Sequence, residues 1–166
     1  MSTKSEQAAA ERRKHPRFPV VEGLVEPITV NFEEEKPAPG EHKPAAGPKN
    51  QPALLVDLSA GGMSLILFLE PPRSKKFEML LNLPGLERVP IEGRVVRVHE
   101  KGATFNVGIA FTKISRKHED QINGMAQDHL DCETRIGLNL PEACVPNCRF
   151  RALCAKPQKV RHSHQQ

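Results

Sequence analysis

Three arginines near the start of the chain are the residues best suited to bind an anion. Arg12, Arg13 and Arg17 lie in the stretch ERRKHPRFPV, just before the sequence becomes apolar. A guanidinium group offers a planar fork of N–H donors that matches two phosphate oxygens or the O6/N7 edge of guanine, and its flat face stacks on a base. Pro16 favours an extended backbone for the residue before it. The stretch therefore predicts an extended arm for a nucleic acid, a membrane surface or a small anion.

A polar turn is the second group of residues that could contact a ligand. The segment VDLSAGGMSL, residues 56–65, holds Asp57, Ser59 and Gly62 between two apolar runs. Asp and Ser often satisfy backbone donors in turns and Gly supplies positive φ, so the turn alone favours a structural role. In a binding role, Asp57 would accept hydrogen bonds, Ser59 would donate one, and Gly62 would let the backbone approach a ligand closely.

Four cysteines near the end of the chain form the third group. They lie in CETRIGLNLPEACVPNCRFRALC, at Cys132, Cys144, Cys148 and Cys154. Four thiols in one short segment predict a zinc site, an iron–sulfur cluster, structural or redox-active thiols, or a disulfide. The spacing lacks the close Cys-x-x-Cys pairs of zinc ribbons, so these alternatives stay open.

The elements that must position these residues are short strands. Apolar and more polar residues alternate in several runs, most strictly over residues 104–112, and Gly and Pro separate the runs. Such alternation predicts half-buried antiparallel strands. The phase changes near Val95 and Val96, which predicts a β-bulge or a strand that is covered on both faces. With a first strand within residues 20–32, the pattern predicts six strands and a small barrel.

One amphipathic helix is predicted after the last strand. Ser115 stands where an N-cap is expected, and the helix should pack on the barrel and end near Leu130. The apolar stripe of this helix consists of Ile122, Met125, Ala126, His129 and Leu130.

Length and composition limit the chain to one ordinary domain with tails. It has 166 residues, 38% of them hydrophobic, with neither Trp nor Tyr, a net charge of +4 and a mean hydropathy of −0.47. This mild charge permits an anionic partner without requiring one.

No run approaches the roughly 18 apolar residues of a membrane span and no secretory signal is visible, so we expect a cytoplasmic location. The motifs of nucleophile elbows and phosphate-binding Gly loops are also missing, so we expect a protein that is not an enzyme.

The composition also predicts the boundaries of the domain. Residues 1–11 should be a flexible tail, and the Pro-rich segment 33–52 should be a loop inserted between strands. The domain proper should span residues 12–130, and residues 131–166 should form a cysteine-containing extension.

The arm and the turn together resemble the two-part signature of the PilZ domain family. Arg13 and Arg17 match its Arg-x-x-x-Arg motif, and Arg12 extends this motif as in some members. Asp57, Ser59 and Gly62 match its Asp-x-Ser-x-x-Gly motif. The segment GIAF, residues 108–111, is similar to a strand of the family, and a closing helix follows as it does there.

The resemblance implies a mainly β fold, a six-stranded antiparallel β-barrel with a C-terminal α-helix, that binds the bacterial second messenger cyclic di-GMP. The arginines would bind its phosphates and guanines. Asp57 would accept from the donor-rich Watson–Crick edge of guanine, and Ser59 and Gly62 would complete the site. Lys14 and His15 are expected to be solvated.

As a receptor, such a protein would order its arm when ligand binds and would signal to a downstream protein in motility, exopolysaccharide or biofilm control. Two alternatives remain. One is a nucleic-acid-binding module that uses the basic arm, although the lack of Trp and Tyr removes the usual stacking residues. The other is a PilZ-like scaffold that does not bind the nucleotide.

Overall fold

The computed structural model describes residues 14–20, 28–32, 50–71 and 76–157. These residues form seven strands and one helix. The elements are β1 Arg17–Pro19, β2 Ile28–Phe32, β3 Asn50–Ser59, β4 Gly62–Leu67, β5 Lys76–Leu83, β6 Leu86–Lys101, β7 Thr104–Lys113 and α1 Arg116–Gly137.

Six of the strands form a closed antiparallel ring. The pairings run β3–β2–β5–β6–β7–β4, and β4 pairs again with β3. The short strand β1 pairs with residues 57–59 of β3, on the edge that β2 occupies at residues 50–53. The predicted mainly β barrel with a C-terminal helix is confirmed. The strand predicted within residues 20–32 is β2, and β1 is an additional short strand that precedes it.

The alternation of side chains builds the core of the barrel. In β5, every second residue is buried, and Phe77, Met79, Leu81 and Leu83 point inward. Each such side chain contributes about 1.5–3 kcal/mol when it leaves water. The register of β6 against β7 shifts between Val95 and Arg97, so the predicted bulge is confirmed. The irregularity shifts the alternation of β6, and Val96 is exposed.

The helix begins at the predicted N-cap but is longer than predicted. The Ser115 Oγ accepts a hydrogen bond from the backbone N–H of His118. Ile122, Met125 and Ala126 are buried against the barrel. Leu130, which the stripe included, is 43% exposed. The helix continues to Gly137 rather than ending near Leu130.

The segment that follows the helix explains this difference. Residues 138–157 form turns without a strand or helix, and they fold back along α1. The backbone N–H and the side chain of Arg149 both donate to the carboxylate of Asp128, and Lys156 pairs with Glu133. The last turns of α1 are therefore held against this segment in part by ion pairs. Because ion pairs need no regular spacing of apolar residues, the sequence pattern did not indicate these turns.

The same segment contributes to the core of the barrel. Phe150 and Leu153 are buried within the main hydrophobic cluster. The ring of Phe150 packs edge-on against Phe18 of β1 and against His129 of α1, at centroid distances of 5.3 and 4.7 Å. Within the described residues, no helix is long and apolar enough to cross a membrane.

Candidate functional site

The strand β1 brings the arm and the polar turn together. In its pairing with β3, Arg17 lies opposite Ser59 and Pro19 lies opposite Asp57, while Phe18 between them points into the core. Arg17 and Asp57 therefore share the outer face of the barrel. The Nη1 of Arg17 donates to Oδ1 of Asp57 at 3.4 Å, and both side chains are partly exposed, at 37% and 27%.

Ser59 and Gly62 have demonstrable structural roles in the turn. The Ser59 hydroxyl is buried and donates to the carbonyl oxygen of Gly62 at 3.1 Å. A Cβ on Gly62 would lie 2.2 Å from the carbonyl oxygen of Ile109 in β7, so only glycine fits there. The reason is this close strand packing, because the positive-φ glycines of the described chain are Gly85 and Gly102. The positive φ expected in this turn is therefore wrong.

A floor of small residues extends across the outer face from this point. Ser59 lies opposite Gly62, Gly62 opposite Ala110, and Ala110 opposite Arg94. A second row runs from Asp57 through Ser64 and Gly108 to Arg97, and these residues are paired in the same way. Residues that are directly opposite in a sheet point to the same face. The floor therefore consists of Gly62, Ser64, Gly108 and Ala110.

Two further arginines border this floor on the side opposite the arm. Arg94 and Arg97 belong to β6, and a Cβ on Gly108 would lie 3.4 Å from the Cβ of Arg97 and 3.6 Å from its Nε. The Arg97 side chain therefore extends over Gly108. Neither arginine belongs to a motif that could be recognised in the sequence. Their signal was present in the strand alternation, but assigning it required the register and the bulge between Val95 and Arg97.

The arm is also held from the other side, by the helix. The Nδ1 of His15 lies 3.2 Å from Oδ1 of Asn123, and its Nε2 lies 3.7 Å from Oε1 of Glu119. A Cβ on Gly61 would lie 3.0 Å from the His15 ring, so the turn packs against this histidine as well. The expectation that His15 is solvated is wrong, whereas Lys14 is exposed as expected. Arg12 and Arg13 lie outside the described residues, and their ligand role stays a prediction.

The four cysteines meet at a separate place. Cys132, Cys144, Cys148 and Cys154 all line one cavity between the end of α1 and the segment 138–157. All four are in the thiol form. Burial raises the pKa of Cys132 and of Cys148 above the ordinary thiol value. Among the described residues, no three Cys, His, Asp or Glu side chains are grouped as needed to hold one metal ion.

Comparison with known proteins agrees with the motifs. The family model of the PilZ domain matches residues 11–127. The inhibitor of motility MotI/DgrA from Bacillus subtilis has a similar structure, with a TM-score of 0.51 and 16% identity over 79% of this chain. The chain spans about half of that protein, 54% of its length.

Two structures from Escherichia coli are also similar. The PilZ domain of YcgR with c-di-GMP gives a TM-score of 0.46 and 20% identity, over 78% of this chain and 98% of that one. YcgR in complex with c-di-GMP gives 0.47 and 18%, over 77% and 50%. No curated protein matches the sequence. Because the family model covers most of the chain and carries both motifs of the outer-face site, the protein belongs to the PilZ domain family.

Proposed function

We propose that this PilZ protein is a receptor for cyclic di-GMP, which binds on the outer face of the barrel between the arm and β6. The observation that supports this most directly is the contact between Arg17 and Asp57 at the edge of a floor that has almost no side chains. A cation that can bind phosphate and an anion that can accept from guanine lie together there, and a flat ligand would rest on the small residues beside them.

Ligand binding would exchange the partners of this ion pair. The contact between Arg17 and Asp57 is long and partly exposed, and such pairs contribute only about 0–1 kcal/mol. The Arg17 guanidinium would turn to a phosphate or to the O6/N7 edge of a guanine. The Asp57 carboxylate would accept from the N1–H and N2–H donors of that base. The pair thus keeps both groups oriented at little cost before the ligand arrives.

The arginines of β6 would form the opposite wall of the site. Arg94 and Arg97 are two strands away from the turn, and neighbouring strands lie about 4.8 Å apart. At this separation the long arginine side chains can reach a ligand that rests on Gly108 and Ala110. The second phosphate or a guanine face would meet these guanidinium groups.

The arm would carry the signal. Arg12 and Arg13 lie three and two residues before His15, which contacts Asn123 of α1. When these two arginines bind the ligand, the conformation of the arm would change, and a new surface would be offered to a downstream protein. Control of motility, exopolysaccharide or biofilm would follow from that partner. Nothing in this scheme requires catalysis.

A calorimetric titration with cyclic di-GMP tests the proposal. We expect binding by the wild type and at least a tenfold loss of affinity in Arg17→Ala and in Asp57→Ala, because each removes a charge-assisted contact of about 1.5–3 kcal/mol. Lys101→Ala, which removes a cation from the far end of β6, should bind like the wild type. Duplex DNA at two salt concentrations is the comparison ligand, since phosphate-driven binding falls steeply with salt.

Each outcome of this titration selects one reading of the site. DNA binding without cyclic di-GMP binding would favour the nucleic-acid module. No binding of either ligand would favour a scaffold that acts through protein contacts alone. Cyclic di-AMP is a third ligand for Asp57→Ala, because adenine presents a different edge from guanine. Equal losses of affinity for the two cyclic dinucleotides, with a lower melting temperature of the variant, would mean that Asp57 only stabilises the turn.

A further inference from the structure

The cysteine cavity gathers every thiol of the chain from two separate elements. Cys132 lies on α1, and the other three cysteines lie on the irregular segment 138–157. Burial raises the pKa of Cys132 and of Cys148, and neighbouring thiols of the cavity add to this rise. Cys144 and Cys154 act on Cys132, and Cys132 and Cys154 act on Cys148. A role that all four share explains this convergence, whereas four independent core thiols have no need to meet.

The segment that carries three of these cysteines has no regular secondary structure to hold it in place. Residues 138–157 contain no strand or helix, and the buried side chains within them are Ala143, Phe150 and Leu153. Loops of more than about 12–15 residues without secondary structure are uncommon in compact domains. Small irregular segments are usually held by disulfides or by metal. The ion pairs Arg149–Asp128 and Lys156–Glu133 hold this segment to α1.

The arrangement of the thiols argues against a single ion. A zinc ion draws four sulfurs to about 2.3 Å from one centre. No three of these cysteines are grouped as such a site requires within the described residues, although all four line the same cavity. In a [4Fe–4S] cluster each cysteine binds a different iron atom, so its four sulfurs stand farther apart around a larger body. Four thiols that line one cavity without being grouped for a single ion are compatible with the second geometry.

The walls of the cavity suit an anionic cluster. Four thiolates give a [4Fe–4S] centre a net negative charge, and Arg135 and Arg151 both line the cavity. Lys156 also acts electrostatically on Cys132. Ala143 and Phe150 complete the wall with apolar surface. Nearby cations offset the charge of such a cluster, and apolar walls limit its exposure to solvent.

We propose that Cys132, Cys144, Cys148 and Cys154 hold one [4Fe–4S] cluster. Each thiol loses its proton as its sulfur–iron bond forms, so uptake of a preformed [4Fe–4S]²⁺ core releases one proton per cysteine and changes no oxidation state. The bound cluster fastens the segment 138–157 to the end of α1.

Metal analysis of the full chain tests this proposal. The protein is purified without oxygen or chelators and then reconstituted anaerobically with ferric iron, sulfide and excess dithiothreitol, which reduces half of the iron as the [4Fe–4S]²⁺ core assembles. We expect about four iron and about four acid-labile sulfide per chain, a brown protein, and a paramagnetic signal after one-electron reduction. About one zinc per chain without sulfide would overturn the cluster. Metal-free protein whose thiols all react with a thiol reagent after reconstitution would overturn it as well.

Single substitutions give a second, independent readout. Cys144→Ser and Cys148→Ser should each lose more than half of the bound iron, because a four-ligand site loses its closed coordination. The matched control is Asn147→Ser, an exposed change next to Cys148 that should keep the full iron content. Full iron in both cysteine variants would overturn the assignment. Circular dichroism of each variant shows whether the barrel is folded. If a variant does not fold, the iron and sulfide content of the wild type still decides whether a cluster is bound.

Discussion

The ring of Phe18 packs edge-on against the ring of Phe150, with centroids 5.3 Å apart and planes at 72°. Phe18 directly follows Arg17 in the arm strand, and Phe150 lies two residues after Cys148. One aromatic contact therefore joins the proposed nucleotide site to the cysteine segment. Because the two rings share the core, a change in one region can be transmitted to the other.

Phe150→Ala should reveal this connection. Removing a buried ring costs about 3–5 kcal/mol of unfolding free energy, and it leaves Phe18 without its partner. We expect lower stability in urea unfolding and, since β1 loses support, weaker cyclic di-GMP binding at a temperature where the variant is folded. The control is Phe68→Ala, which removes a ring that is 49% exposed and should cost much less. Equal effects of the two changes would contradict a core role for Phe150.

Gly62→Ala should destabilise the barrel itself. The added methyl would meet the carbonyl oxygen of Ile109 at 2.2 Å, and this backbone atom cannot move aside without separating β4 from β7. Overpacking of this kind costs about 1–3 kcal/mol or more. Gly137→Ala is the matched control, because nothing lies within 4 Å of its added Cβ. At the last position of α1 it should be neutral or stabilise by up to about 1 kcal/mol. Thermal unfolding of both variants checks the contrast.

His15→Ala tests whether the helix positions the arm. The substitution removes the contact of His15 with Asn123 and its packing on Gly61, at the edge of the structure rather than in its core. If the protein binds cyclic di-GMP as proposed, we expect His15→Ala to lose affinity severalfold. Its free energy of unfolding should fall by less than about 1 kcal/mol. Lys14→Ala, at an exposed neighbour, should change affinity less. Unchanged calorimetric affinity in His15→Ala would show that the anchor has no part in binding.

The Asp128–Arg149 pair predicts a specific response to acid. Hydrogen bonds from the Arg149 side chain hold the pKa of Asp128 below its ordinary value of 3.8. A carboxylate whose pKa is lower in the folded state contributes stability above its ordinary pKa, and this contribution is lost as the pH falls through the folded pKa. We therefore expect Asp128→Asn to be less stable than the wild type at neutral pH, with a difference that shrinks below about pH 4.

Urea unfolding at several pH values measures this difference. Asp120→Asn, at an exposed position of the same helix, serves as the control and should not reproduce the pattern. A stability difference between Asp128→Asn and the wild type that stays constant from neutral pH to about pH 3 would contradict the assigned role of the pair.

Local patterns in the sequence were sufficient for six of the seven strands and for the start of the helix. Phe77 and its alternating neighbours predicted a buried strand face, because the side-chain period of a strand is visible in any short window. Ser115 predicted the N-cap for the same reason, since a cap is a contact between residues three positions apart. The motif residues Arg17 and Asp57 were also identifiable before the structure. The division into residues 1–11, 12–130 and 131–166 stays a prediction. Residues 1–11 and 33–49 lie outside the described residues, and the end of the predicted loop 33–52 belongs to β3, which begins at Asn50.

Contacts between distant residues were decided only by the tertiary structure. Arg94 and Arg97 join the site because a bulge sets which face of β6 they occupy, and a single extra residue reverses that face. The last turns of α1 and the fold of the cysteine segment depend on ion pairs such as Asp128–Arg149, which leave no periodic signal. The meeting of all four thiols at one cavity has the same origin. Cys132 and Cys154 are separated along the chain by turns whose path is set by packing against the barrel.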